Sequence, residues 1–162
     1  MVDSIQMLHQ QFGERATRNT DILDRHGRDE SFHAPALPDL VVFPGTDDEV
    51  ASIVKQCAET DTPVIPYGVG TSLEGHVAAL HGGVCVDLSM MNKVLEINPG
   101  DLDVRVQAGV TRKQLNAELA PHGLFFPVDP GADATLGGMV ATGASGTNAV
   151  RYGTMRENIL GL

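Results

Sequence analysis

Positive charge is scarce in this sequence. Only 11 Lys and Arg stand against 21 Asp and Glu, and no basic run or interleaving of basic with aromatic residues occurs. That balance argues against nucleic acid as a partner, because affinity for a phosphate backbone rests on clustered cations. Cysteine is nearly missing too: Cys57 and Cys85 have neither CxxC nor metal-ligand spacing and read as buried, reduced thiols. His9, His26, His33, His76, His81 and His122 form no i, i+4 pair and no HxH, so solvated histidines are expected rather than a metal site. No apolar run approaches the roughly 20 residues of a membrane span. The N-terminal MVDSIQMLHQQFG lacks a signal-peptide layout. The expectation is a soluble, intracellular chain, cytoplasmic or peripheral at the inner face of a membrane. No internal repeat is evident.

What the sequence has in surplus is glycine, 18 in 162 residues, concentrated in two clusters at 68–83 and 131–146. The length suits one compact domain or two small lobes. Ile5, Leu8 and Phe12 have helical spacing, and a second, weaker helix is expected over 16–23. GRDESFHAPALPD then reads as a polar connector. LVVFPGT is a short strand, followed by a helix in TDDEVASIVKQCAETD with Val50, Ile53, Val54, Cys57 and Ala58 on one face and a Thr46/Glu49 capping box. Residues 64–66 complete a β-α-β unit, with the first glycine cluster at the strand's C-terminal end. GGVCVDL is a further strand, and KVLEIN and DVRVQ form an antiparallel pair across PGD. TRKQLNAEL predicts a helix with a Thr111/Gln114 capping box and a Val110–Leu115 staple, ended by Gly123. LFFPV reads as a short strand, and MRENILGL as the start of an element that is cut off.

The loop in VIPYGVGTSLEGH offers glycines that allow positive φ, exposed N–H groups and the hydroxyls of Thr71 and Ser72, all fit to hold an anion. His76 stands where a P-loop needs Lys, and Leu73 stands where a dinucleotide fingerprint needs its third Gly. Taken alone, the loop reads equally well as an ordinary Gly-rich turn. The second cluster shifts that balance. Asp129, Thr135, Gly137, Gly138, Thr142, Ala144, Ser145 and Gly146 give a second surface of small residues and hydroxyls, where any short helix would aim its N–H groups at negative charge. Two such patches suit one long ligand with a central diphosphate.

PYGVGTSLEG together with FPVDPGADATLGGMVATGASGTNAVRYGT resembles the flavin-binding region of vanillyl-alcohol-oxidase type flavoproteins. Within these it is most similar to FAD-linked D-lactate dehydrogenases of the cytochrome-linked kind, with the glycolate oxidase flavin subunit and D-2-hydroxyglutarate dehydrogenase as relatives. The likeness runs over 39–162. It implies an α+β fold, a two-lobed PCMH-type FAD-binding domain with an incomplete second lobe. The N-terminal helical segment and connector would occupy 1–38, the first lobe 39–106 and the start of the second lobe 107–162. The resemblance further implies that Tyr67, Gly68, Val69, Gly70, Thr71, Ser72 and Leu73 meet the FAD diphosphate. Asp129, Pro130, Thr135 and Gly138, with Thr142, Gly143, Ala144 and Ser145, would line the cofactor from the second lobe. Family members with covalent flavin carry His near the position of Thr71, so FAD is expected to be non-covalent. His76, five residues on, is expected to close the loop by hydrogen bonding, with a covalent flavin link through its ring as the lesser alternative.

Enzymes of this family continue for a few hundred residues beyond the part matched here, with a cap that carries the base, the substrate clamp and, in the nearest branch of the family, a His-rich metal site. The chain is therefore expected to be a fragment with no catalytic residue of its own and a metal ion only in the missing region. The implied parent oxidises a D-2-hydroxy acid, D-lactate first, by hydride transfer to flavin N5, and passes electrons to a cytochrome, a quinone or an electron-transfer flavoprotein. The alternatives are a glycolate oxidase-type flavin subunit, an FAD- or nucleotide-binding fragment without turnover, and a remnant that binds nothing. Arg151 and Tyr152 meet flavin or substrate, or pack around Gly153. Met90 and Met91 read as core filler, and the acidic runs TDDE and RDE as a helix start and a solvated surface.

Overall fold

The computed structural model describes residues 3–162. The chain divides into two compact units, Met1–Met90 and Met91–Leu162. The sequence set the lobe boundary at 106/107, after the second strand of the antiparallel pair.

In the first unit, α1 (Ser4–Phe12) starts where Asp3 accepts the Ile5 N–H at 3.1 Å, and it buries Ile5, Leu8 and Phe12. Strand β1 (Ala16–Thr17) follows, then α2 (Thr20–His26), capped by Asn19. The helix expected over 16–23 thus begins four residues later, because 16–17 pair antiparallel with β2 (Leu40–Val42) and Ala16 is buried. Helix α3 (Asp47–Ala58) carries Asp47, Asp48 and Glu49 in its first turn, where carboxylates complement the helix dipole. Its capping box is only half formed. Thr46 accepts the Glu49 N–H, but the Glu49 carboxylate takes the Gly45 N–H and the Arg15 guanidinium instead. Ile53 and Cys57 are buried as the pattern predicts, whereas Val54 is exposed.

Strands β3 (Val64–Tyr67) and β4 (Val84–Asp87) complete a sheet of order β1-β2-β4-β3, in which β2, β4 and β3 are parallel. The two inner strands, β2 and β4, are buried along their whole length, the pattern of a parallel sheet covered on both faces. Pro66 lies in the edge strand β3, where a missing ladder N–H is tolerated. Alternation divides the sheet faces: Leu40, Val42, Val84 and Val86 pack with α1 and α3, while Val41 and Cys85 pack with Tyr67, Val77 and the apolar side of α2.

In the second unit, β5 (Val94–Asn98) and β6 (Asp103–Val106) pair antiparallel, as the alternation predicts, with a register shift between Val94 and Glu96. Helix α4 (Arg112–Leu119) is capped by Thr111, which accepts the Gln114 N–H at 3.2 Å; the Gln114 amide turns instead to the Asn92 carbonyl. Val110 and Leu115 share one core with Leu119, Val128, Leu136, Met139 and Met155. Gly123 adopts φ 68°, the left-handed stop expected of it. LFFPV forms no strand. It is held by the Asn116 side chain, which accepts the Phe126 N–H at 2.7 Å, so its backbone is fixed without a ladder. Two short helices, α5 (Leu136–Ala141) and α6 (Ala149–Tyr152), follow. Of the adjacent methionines, Met91 is core and Met90 is exposed.

Candidate cofactor-binding site

The loop after β3 is built around free backbone donors. The N–H groups of 68–73 donate to no acceptor among the described residues. Gly70 and Gly75 have φ of 66° and 73°, a left-handed backbone that glycine takes without a Cβ clash. Thr71 is exposed, and its hydroxyl has no partner among the described residues. The Ser72 hydroxyl accepts the Glu74 N–H at 3.3 Å and keeps its own hydrogen to donate. The Val69 and Leu73 side chains face solvent. A row of unpaired amides beside a free hydroxyl fits a diphosphate, whose oxygens accept only.

The floor beneath the loop is polar and buried. His26, at the end of α2, and Asp87, at the end of β4, meet at 2.8 Å with side chains 6% and 8% exposed. Nδ1 of His26 donates to the Ile22 carbonyl at 2.8 Å, which leaves Nε2 for the Asp87 carboxylate; its other oxygen accepts the Ser89 N–H at 2.7 Å. The Tyr67 ring lies 4.4 Å from the His26 ring, and burial, with Asp87 nearby, pushes its phenol up. A Cβ on Gly70 would come within 2.5 Å of the Tyr67 hydroxyl, so any side chain there disturbs this floor as well as a ligand.

The connector read as polar surface closes the loop. Asp29 accepts the Gly75 N–H at 2.9 Å, the Glu30 N–H donates to the Ser72 carbonyl at 3.1 Å, and the His33 ring sits against Gly75. Burial pushes the Asp29 carboxyl up, but the hydrogen bonds from Ser31 and Gly75 outweigh it and hold the group below the usual carboxylate range. His76 was expected in the closing role. Its side chain is exposed and makes no hydrogen bond among the described residues; Asp29 does that work from the other side.

In the second unit, Asp129 accepts the Gly131 N–H at 2.9 Å and faces the Arg112 guanidinium at 3.3 Å, with Pro130 exposed beside it. Thr135 is buried and caps α5 by accepting the Gly138 N–H at 3.3 Å. The Leu136 and Gly137 N–H groups go to the carbonyls of Val110 and Ala108. All three leading amides of α5 are therefore spent inside the unit, which corrects the expectation that this helix start offers donors to an anion. Gly137 and Gly146 serve backbone packing: a Cβ would meet Ala108 in the first case and the Asp129 carbonyl in the second. The Thr142 hydroxyl donates to the Gly138 carbonyl at 2.9 Å, Gly143 turns at φ 62°, and Ala144 bonds through its backbone to Met139 and Met155. What remains open is Ser145, exposed, with the N–H groups of 145–147 unpaired among the described residues.

Pattern reading missed His26, Asp29, Asp87 and Arg112. The one sequence signal was Asp87, an acid closing the apolar run GGVCVDL, where a strand's buried end demands a partner. Arg112 is the clearest loose end, since its Nε is buried without a partner.

Known proteins resemble this chain in sequence and in fold. The chain is 57% identical over 141 residues to a probable mitochondrial D-lactate dehydrogenase of Danio rerio, covering 87% of this chain and 28% of that protein. It is 50% identical over 139 residues to the mitochondrial D-lactate dehydrogenase [cytochrome] of Arabidopsis thaliana, covering 85% and 24%. The chain thus spans about a quarter of the length of these curated relatives. Among solved structures, an alkyldihydroxyacetonephosphate synthase superposes with a TM-score of 0.86 at 24% identity, over 95% of this chain and 34% of that one, which shows the shared α+β fold of the PCMH type. The family model described as "FAD binding domain" matches residues 38–162, and the chain belongs to that family.

Proposed function

We propose that this chain is the FAD-binding part of a flavin-dependent D-2-hydroxy-acid dehydrogenase that acts on D-lactate. The observation that supports it most is the run of unpaired amides at 68–73, held over a buried floor in a chain of the FAD binding domain family. Bound FAD supplies a two-electron acceptor for the hydride of the substrate's α-carbon. The residues of this chain bind and orient it. The 68–73 amides and the Thr71 and Ser72 hydroxyls take the diphosphate oxygens, and the 129–145 segment is the second cofactor-binding element through Asp129, Pro130 and 142–145, with Ser145 as its open donor; Thr135 and Gly138, bonded to each other, shape that segment rather than donate to the cofactor. Binding is non-covalent, because Thr71 offers no ring nitrogen for a flavin bond. No residue of 3–162 is assigned a proton-transfer or metal-binding role.

Electrons leave to a cytochrome, the acceptor that the Arabidopsis relative's name carries, with a quinone or an electron-transfer flavoprotein as the other acceptor classes. Both of these relatives are named as mitochondrial, and no helix of the described residues is long and apolar enough to cross a membrane. A peripheral site on a membrane face, beside the acceptor, fits both facts.

A second reading, FAD binding without turnover, is favoured by the chain's coverage of only 24–28% of those relatives. The test is visible absorbance of the purified chain after addition of FAD and gel filtration, then anaerobic addition of D-lactate and, separately, glycolate. Retained flavin bleached by D-lactate supports the dehydrogenase. Retained flavin that neither acid bleaches supports binding alone, bleaching by glycolate alone supports a glycolate oxidase-type subunit, and flavin lost on the column overturns the FAD reading.

A further inference from the structure

The family match begins at residue 38, yet the cofactor loop is held from before it. Residues 26–33 supply its floor and its closure. His26 pairs with Asp87 beneath Tyr67, the Glu30 N–H holds the Ser72 carbonyl, and Asp29 holds the Gly75 N–H. The carboxylate of Asp29 is itself oriented, because its second oxygen accepts the Ser31 N–H at 3.0 Å. Gly75 turns at φ 73°, so the bond from its N–H fixes the end of a segment that has no ladder partner of its own.

We propose that the 26–33 segment is a built-in clamp on the diphosphate loop and that Asp29 is its positioning residue. This rests on the FAD reading above. The amides of 68–73 can converge on phosphate oxygens only while both ends of the loop are fixed. One end is fixed by β3, and the other by Asp29 and the Glu30 N–H. Preorganising the donors in this way removes an ordering cost that the ligand would otherwise meet on binding. The Asp29 carboxylate does not itself contact the cofactor in this account; it acts through Gly75.

The test compares the chain with its Asp29→Ala and Asp29→Asn variants. Dissociation constants for FAD and for ADP, which shares the diphosphate, are read by titration, and the urea midpoint is read for each protein. Without the Asp29 bond to the Gly75 N–H the free loop opens and the ligand has to re-order it on binding; an ordering cost equal to one charge-assisted hydrogen bond corresponds to a rise in Kd of about tenfold or more. Asp29→Ala is expected to show that rise for both ligands, whether or not the urea midpoint falls with it. Asp29→Asn, which keeps one acceptor oxygen, is expected to fall between. An Asp29→Ala chain that binds FAD and ADP within about twofold of the parent overturns the clamp and leaves the FAD reading intact. A lowered midpoint with unchanged Kd assigns Asp29 to folding alone and likewise overturns it. A parent chain that binds neither ligand overturns both.

Discussion

Replacing Asp87 tests whether the floor of the cofactor loop is an essential buried pair. The two side chains are 6% and 8% exposed, and the 2.8 Å contact is flanked by acceptors: Nδ1 of His26 already serves the Ile22 carbonyl, so the Nε2–Oδ2 contact holds one shared proton. Asp87→Ala removes a charge-assisted bond, worth about 1.5–3 kcal/mol, and strands a ring nitrogen away from water. Breaking one partner of a buried pair costs about 3–5 kcal/mol. The Ser89 N–H recovers a water partner because Ser89 is exposed, so the lower end applies and about 3 kcal/mol is expected. Asp87→Asn should cost about 1 kcal/mol or less, because its amide can donate to Nε2 while its oxygen still accepts from Ser89. Urea unfolding followed by far-UV circular dichroism reads both. With a slope of about 2 kcal/mol/M, the Ala variant should lose roughly 1.5 M in midpoint and the Asn variant less than about 0.5 M. Equal losses for the two variants, or a loss below about 1 kcal/mol for Asp87→Ala, would refute the pairing argument.

Glu49 carries a pH-dependent contribution. The hydrogen bond from Arg15, then that from the Gly45 N–H, holds its carboxyl at about 2, below its ordinary 4.5, so its stabilisation is present above 4.5 and lost as the pH falls towards 2. Glu49→Gln should therefore lower the thermal midpoint by a few degrees at neutral pH, with a gap that closes on acidification; a gap independent of pH would count against the ion pair. Gly146→Ala should destabilise the second unit by more than about 2 kcal/mol, since its Cβ would collide with the Asp129 backbone, which has no rotamer to yield. Amide exchange confined to Met91–Leu162 should report it. Burial raises both thiols, Cys57 and Cys85, so neither should react with a disulfide reagent in the native protein, and both should react in urea. Fast labelling of the native chain would show that α3 opens locally if it falls on Cys57, or β4 if it falls on Cys85.

Local periodicity by itself determined much of this protein. The alternation in DVRVQ, the helical spacing from Val50 to Cys57 and the Thr46 and Thr111 caps each encode their element within a few residues, and the structure forms them there. The parallel β2-α3-β3 crossover also follows, because an amphipathic helix between two apolar strands has one economical way to pack. The loop alone left an ordinary turn equally open; the two glycine clusters together, through their resemblance to flavoprotein motifs, indicated a flavin-binding family. What only tertiary structure decided were partnerships across long separations. His26 and Asp87 lie 61 residues apart, and Asp29 and Gly75 lie 46 apart, so no window of sequence contains both members. The same holds for the amides of α5, which a local reading leaves free and which Val110 and Ala108 consume. A hydrogen bond's donor is legible in a sequence; its acceptor becomes known only when the chain has brought one near.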